Sequence, residues 1–243
     1  MLILDAHAHC GLSLPWERLR PHWEAASIDG GVLFSPVEEI YDRYDYNFTD
    51  SPEYIQSRKK VHAYLESLQR ENLFIYWFVW NDYVLPPENF TGIKWHRHPS
   101  EPEYDYSSDQ YKNFLQFVCN NKLPIVLEEE FHHTLNLIEA IEQQTVVIIP
   151  HLGMLNGGYN NLKEAGVFAN PAVYIDTALA DSTDLQDYAA NYGVDRILFG
   201  SDFPFGIPFS ERTKIEQIFN ETEREKILGQ NLLTLLGERS KKP

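Results

Sequence analysis

Leu2-Ile3-Leu4-Asp5-Ala6-His7-Ala8-His9 is an apolar run that ends in two histidines, and its form sets the reading of the whole chain. An almost unbroken apolar run of this length is what a parallel strand covered on both faces looks like. The form recurs at Gly31 to Pro36, Leu73 to Trp80, Gly92 to His96, Pro124 to Glu128, Val146 to His151, Val173 to Thr177 and Arg196 to Asp202. Stretches with helical spacing lie between them, at Pro52 to Glu71, Asp109 to Asn121, Thr134 to Gln144 and Thr183 to Tyr192, and one closes the chain at Thr222 to Leu236. Eight strands alternating with helices suit an open doubly wound sheet or a closed barrel.

The strand ends decide between them. His7, His9, His96, Glu128, His151 and Asp202 all fall at the carboxyl ends of their runs. A barrel brings those ends to one rim, whereas the outer strands of an open sheet lie too far apart to share a site. The expected fold is therefore α/β, a single (β/α)8 TIM barrel. With no repeat, low-complexity tract or linker, residues 1–243 read as one domain.

Composition narrows the partners. Apolar residues make up 43% and charged residues 23% of 243, the balance of a globular protein. A net charge of −16 repels a phosphate backbone, so nucleic acid is not expected. The start lacks a basic leader, and the longest apolar stretch, Leu73 to Trp80, is too short to span a bilayer, so no membrane association is expected. Two cysteines, Cys10 and Cys119, are too few for a disulfide framework, and a cytoplasmic setting follows. The irregular stretch Val37 to Ser51 carries Tyr41, Tyr44, Tyr46 and Phe48 among acidic residues; it reads either as a binding loop or as a contact in a homo-oligomer.

His7 and His9 stand at i and i+2, on one face of a strand and about 6 to 7 Å apart along it, so both rings can converge on one ion. Neutral imidazole is a common ligand of zinc and similar metals, although two histidines at a strand end can equally be hydrogen-bonded side chains. Asp202 ends an apolar run, where a carboxylate can complete a metal site, take a proton or cap a turn before Pro204. His151 reads as a ligand, an acid/base or a loop-bonded histidine.

The ordered set Leu4-Asp5-Ala6-His7-Ala8-His9, Gly92-Ile93-Lys94-Trp95-His96, Ile149-Pro150-His151-Leu152-Gly153, Ile197-Leu198-Phe199-Gly200-Ser201-Asp202-Phe203-Pro204 and Lys226-Ile227-Leu228-Gly229-Gln230-Asn231 resembles the amidohydrolase-related family. This is the branch of the amidohydrolase superfamily that includes aminocarboxymuconate-semialdehyde decarboxylase-like proteins. The resemblance implies a barrel holding one divalent metal ion, usually zinc, with His7, His9 and Asp202 as ligands. It also implies His151 beside the metal as acid/base or ligand, and Lys94 and His96 lining the pocket.

The chain departs from the family at Leu123-Pro124-Ile125-Val126-Leu127-Glu128, where Glu128 takes the place of a metal-binding histidine. A carboxylate binds zinc too, so Glu128 is expected as the fourth ligand in a more anionic site. Glu128 to Glu130 also reads as a solvated helix start, and His132 or His133 as a replacement ligand. His22, His62 and His98 read as surface or packing residues.

The expected activity is hydrolysis of a small ester, lactone or amide by metal-activated water, with Asp202 and His151 moving protons and Lys94, His96, Tyr41 and Tyr44 binding substrate. The alternatives are metal-dependent non-oxidative decarboxylation of an aromatic or unsaturated acid, and a catalytically silent barrel that binds metal or ligand.

Overall fold

The computed structural model describes residues 1–237. Among them eight strands form one sheet in chain order: β1 (Leu4–His9), β2 (Gly30–Phe34), β3 (Leu73–Phe78), β4 (Gly92–His96), β5 (Ile125–Glu128), β6 (Val147–Ile149), β7 (Val173–Asp176) and β8 (Ile197–Leu198). Every neighbouring pair is parallel. The sheet closes on itself through the segment after β8: Ala6 N donates to Phe199 O at 2.7 Å, Asp202 N to His7 O at 2.7 Å and His9 N to Phe203 O at 2.9 Å. The fold is a (β/α)8 TIM barrel.

Helices α1 (Trp16–Ala25), α2 (Pro52–Ser67), α3 (Asp109–Asn120), α4 (Phe131–Ile141), α5 (Tyr159–Glu164), α6 (Ser182–Tyr192), α7 (Pro208–Ile218), α8 (Glu221–Glu225) and α9 (Asn231–Gly237) fill the connections and the C-terminal segment. Several starts are written in the sequence. Ser51, Ser108 and Asp181 accept hydrogen bonds from first-turn amides of α2, α3 and α6, satisfying donors a helix leaves open. The β3 to β4 connection carries no helix; Pro86 and Pro87 lie in its middle and withhold two backbone donors. None of the described helices is long and apolar enough to cross a membrane.

Two apolar layers hold the barrel. Leu4, Ala6, Val32, Phe34, Tyr76, Val126, Ile148 and Leu198 fill its interior, and Leu232, Leu235 and Leu236 of α9 join them. Gly92 is needed here, because a Cβ at that position would lie 2.4 Å from the Tyr76 ring. The larger layer packs strands against helices, and both cysteines are buried free thiols, as the sequence implies.

The 37–51 connection is anchored rather than loose. Buried Arg58 of α2 donates to Ile40 O at 2.9 Å, to Asp50 Oδ1 at 2.9 Å and to Asp82 Oδ2 at 2.7 Å.

His62, one turn on from Arg58, is buried and stacks on Trp77 with ring centroids 3.7 Å apart. Burial, reinforced by the Arg58 charge, pushes its imidazole down to about 3. The unfolded chain takes up this proton near pH 6.5, the folded chain only near pH 3. Its contribution to stability is therefore complete above pH 6.5 and is lost as pH falls through that window, by roughly 2 kcal/mol at pH 5. In urea titrations at pH 7 and pH 5, His62→Phe should show a smaller pH-dependent loss than wild type. Equal losses would remove His62 as the cause.

Candidate active site

The carboxyl rim of the barrel gathers the titratable residues, and β1 supplies the first two. Its pairing with β2 runs Asp5 to Gly31 and then Ala8 to Leu33, so β1 holds one extra residue between these points. That bulge switches the parity of the strand. Leu4 and Ala6 face the apolar interior below it, and His7 and His9 face the rim above it, with ring centroids 5.8 Å apart.

Each of three imidazoles is tied at Nδ1. His7 Nδ1 lies 2.7 Å from Asp176 Oδ2, His9 Nδ1 3.1 Å from Ser35 O, and His151 Nδ1 3.0 Å from Ala178 O. All three partners are acceptors, so in the neutral rings the proton sits on Nδ1 and the Nε2 lone pair is free. Asp202 Oδ1 lies 3.3 Å from both His7 Nε2 and His9 Nε2, and its Oδ2 lies 4.0 Å from His151 Nε2. His7 Nε2 and Asp202 Oδ1 are buried and have no hydrogen-bond partner. Ligands of a tetrahedral ion with bonds of about 2.0 to 2.1 Å sit about 3.3 Å apart, so both distances to Asp202 Oδ1 match ligand spacing, and the three donor atoms lie within 4.8 Å of one another.

Backbone conformation helps to hold the set. Asp202 has φ 53°, and its amide donates to His7 O at 2.7 Å, which fixes it against β1. His151 and Leu152 are consecutive non-glycine residues at φ 55° and 51°. Such conformations cost about 1 to 2 kcal/mol each, and here Asp176 Oδ1 offsets that by accepting from His151 N at 3.0 Å.

The field seeks a cation. Burial opposes charge on His7, yet Asp176 and Asp202 outweigh it and push the imidazole up to about 9. Burial likewise opposes ionisation of Asp202, and the two β1 histidines overcome it, holding the carboxyl far below the usual range.

Glu128 forms the opposite wall. Its Oε2 lies 3.0 Å from Lys94 Nζ and 3.6 Å from His151 Nε2; its Oε1 lies 2.9 Å from His96 Nε2 and 2.6 Å from His98 Nε2. Burial raises the Glu128 carboxyl, but His96 and Lys94 hold it well below the ordinary carboxylate range. Donor atoms of His7, Glu128 and His151 lie within 4.8 Å of one another, as do those of His7, His9 and Asp202.

The sequence model of the amidohydrolase family matches residues 88–237, more than half of the chain. The chain belongs to the amidohydrolase family. A comparison with curated proteins finds no match. Among solved structures, 2,6-dihydroxybenzoate decarboxylase in complex with 2,6-dihydroxybenzoate is 14% identical, with 98% of each chain covered and a TM-score of 0.71. A candidate 2-pyrone-4,6-dicarboxylic acid hydrolase from Pseudomonas putida is also 14% identical, with 97% of each chain covered and a TM-score of 0.70. The 5-carboxyvanillate decarboxylase LigW from Sphingomonas paucimobilis is 8% identical, with 97% of this chain and 99% of that chain covered and a TM-score of 0.71. At these identities the likeness shows the fold.

In this amidohydrolase a cavity of about 180 Å³ opens over the rim, lined by His9, His96, His98, Glu128, His151 and Asp202, with Arg43 and Phe205 at its wall. It falls below the roughly 300 to 1,000 Å³ typical of drug-sized ligand sites. His96 is the one member of the expected substrate-binding set that lines it. Lys94 is fully buried beneath, bound to Glu128. Tyr41 is buried behind the wall, stacked on Trp80 at 4.2 Å, and its hydroxyl donates to Glu101 Oε2 at 2.7 Å and lies 2.9 Å from His96 O. The structure does not bring Tyr44 to the cavity: it is 83% exposed, on a turn where its amide bonds Asp42 Oδ1. His132 is exposed on α4, and His133 stacks on Tyr106, so neither reaches the rim.

Sequence reasoning missed Asp176, His98, Glu101 and Arg43. Asp176 ends Val173-Tyr174-Ile175-Asp176, the same apolar run with a terminal carboxylate that drew attention to Asp202. His96 and His98 repeat the i, i+2 pattern of His7 and His9.

Proposed function

We propose that the chain is a metal-dependent hydrolase of a small ester, lactone or amide-type substrate. The observation that carries this reading is the convergence of His7 Nε2 and His9 Nε2 on Asp202 Oδ1, each 3.3 Å from it, with His7 Nε2 and Asp202 Oδ1 buried without a hydrogen-bond partner. His7, His9 and Asp202 would hold a divalent ion, zinc or one of similar preference, with Glu128 and His151 at its edge. Such an ion supplies Lewis acidity, polarising a carbonyl and making water more acidic.

The protein's own groups supply the rest. Asp202 Oδ2, 4.0 Å from His151 Nε2, would accept the proton of the attacking water and pass it to His151 Nε2, which would then deliver that same proton to the leaving group. The Nδ1 bond of His151 to Ala178 O keeps its Nε2 aimed at the cavity for that exchange. His96 and Arg43 orient the substrate, and the small volume excludes bulky ones.

Decarboxylation of a small aromatic or unsaturated acid is the second reading. It is favoured by the likeness to two decarboxylases and by a guanidinium in the cavity wall that suits a carboxylate.

The test loads purified protein with Zn2+ or Mn2+ and offers lactones, esters and aromatic acids, following acid release and carbon dioxide separately. Acid release that disappears in His7→Ala together with the bound metal is the expected result. Carbon dioxide release alone would replace hydrolysis by decarboxylation, and bound metal unaffected by His7→Ala would sink the site.

A further inference from the structure

Among the described residues, Arg43 is the one lysine or arginine that lines the cavity. Its guanidinium is already engaged. Nη2 forms an ion pair with Glu101 Oε1 and lies 3.2 Å from His98 Nδ1, and Nη1 lies 3.6 Å from Glu38 Oε1. Glu101 is 2% exposed and firmly held: its Oε2 accepts from the Tyr41 hydroxyl at 2.7 Å and from His98 N at 3.2 Å. Burial opposes charge on Glu101, yet His96, Tyr41 and Arg43 outweigh it and hold the carboxyl down at about 2.

The other cations around the cavity are matched in the same way. Lys94 Nζ lies 3.0 Å from Glu128 Oε2. His96 sits between both carboxylates, 3.3 Å from Glu101 Oε2 and 2.9 Å from Glu128 Oε1. A divalent ion held by His7, His9 and Asp202 would be balanced by Asp202 and Asp176. An entering carboxylate therefore finds no cation without a carboxylate of its own. It would have to share Arg43 with Glu101, placing two like charges against one guanidinium where water screens them poorly. A neutral carbonyl or hydroxyl oxygen can accept from the guanidinium without that conflict.

We propose that Glu101 determines specificity: by neutralising Arg43 it restricts the cavity to uncharged, oxygen-bearing substrates, and its loss turns Arg43 into a carboxylate receptor. The inference rests on the proposed function, which makes this cavity the substrate site, and it names the substrate class. That class is a lactone, ester or amide with no free carboxylate on the part that enters the cavity. It also counts against the decarboxylase reading, whose substrates are acids.

Glutamine at position 101 keeps the shape and removes the charge. With its carbonyl oxygen in place of Oε2 it still accepts from Tyr41 and His98 N, and its NH2 leaves Arg43 unmatched. Turned the other way it can bond Arg43, but the negative charge is gone all the same.

The probes are benzoate and benzamide, which are close in shape and differ in charge. They are titrated by ligand-observed nuclear magnetic resonance into wild type, Glu101→Gln, Glu101→Met and the double variant Glu101→Gln/Arg43→Gln, each checked for fold by circular dichroism. Affinity ratios are compared between variants in one metal state, Zn2+-loaded or metal-free, so direct contact of benzoate with the ion cancels. Metal-free wild type should bind benzamide at least as well as benzoate. Glu101→Gln should gain about tenfold for benzoate while benzamide stays within about twofold, Glu101→Met should shift the ratio in the same direction, and the double variant should lose the gain. A merely structural role for Glu101 would weaken both probes and leave their ratio unchanged. Benzoate preferred by metal-free wild type overturns the proposal, as does an unchanged ratio or no benzoate binding in the two single variants, or a gain that survives the loss of Arg43. Metal retention and ester turnover are measured separately on the Zn2+-loaded samples, so failure of the hydrolase reading leaves the charge result readable, and the reverse.

Discussion

Asp202→Asn should lower turnover by about three orders of magnitude while leaving the fold intact. Asparagine has almost the same shape, and the bonds that fix residue 202 come from its backbone, whose amide donates to His7 O at 2.7 Å and whose carbonyl accepts from Phe205 N at 2.8 Å. What changes is the carboxylate. Oδ1, 3.3 Å from both His7 Nε2 and His9 Nε2, loses its charge, and the proton-accepting oxygen near His151 loses its basicity. Removing a positioned acid/base costs about 10²- to 10⁴-fold, and weaker metal retention adds to that. Turnover measured per bound metal ion separates the two losses. A variant within threefold of wild type on that scale would remove Asp202 from the proton transfers.

Much of this site was legible because a parallel barrel converts one sequence feature, a polar residue at the end of an apolar run, into one spatial feature, a place on the rim. His7, His9, Glu128, His151 and Asp202 followed from that rule. The rule is weaker where the strand ends early. β8 stops at Leu198, and Asp202 reaches the site from a loop at φ 53°, held by β1 rather than by strand geometry.

Loop directions were not legible, because contacts far away in sequence set them. Tyr44 shares a tyrosine-rich segment with Tyr41, yet one is exposed and the other buried against Trp80. The path between them depends on Arg58 reaching Ile40, Asp50 and Asp82. His98 lies beyond the end of β4, where alternation no longer assigns a face, and its partner Glu128 is thirty residues on. Asp176 carried the right signature, but its role depends on His7, 169 residues away.

Asp176→Asn should weaken metal binding by about 10- to 100-fold although residue 176 touches no candidate metal position. Both carboxylate oxygens are committed as acceptors: Oδ1 takes His151 N at 3.0 Å and Ala178 N at 3.1 Å, and Oδ2 takes His7 Nδ1–H at 2.7 Å. An asparagine must turn its NH2 toward one of these donors. If it faces His7, the ring's stable tautomer carries its proton on Nε2, the atom 3.3 Å from Asp202 Oδ1, and the lone pair for the ion is gone. If it faces β6, two buried amides lose their acceptor, and His151 and Leu152 lose the bond that offsets their left-handed backbone, at about 1 to 3 kcal/mol for each unpaired donor. The first arrangement spares the fold and the second spares His7, so chelator-competition affinity and thermal stability measured together report which occurs. A variant with wild-type values on both scales would show that Asp176 does not position His7, and the tautomer argument for this site would fail with it.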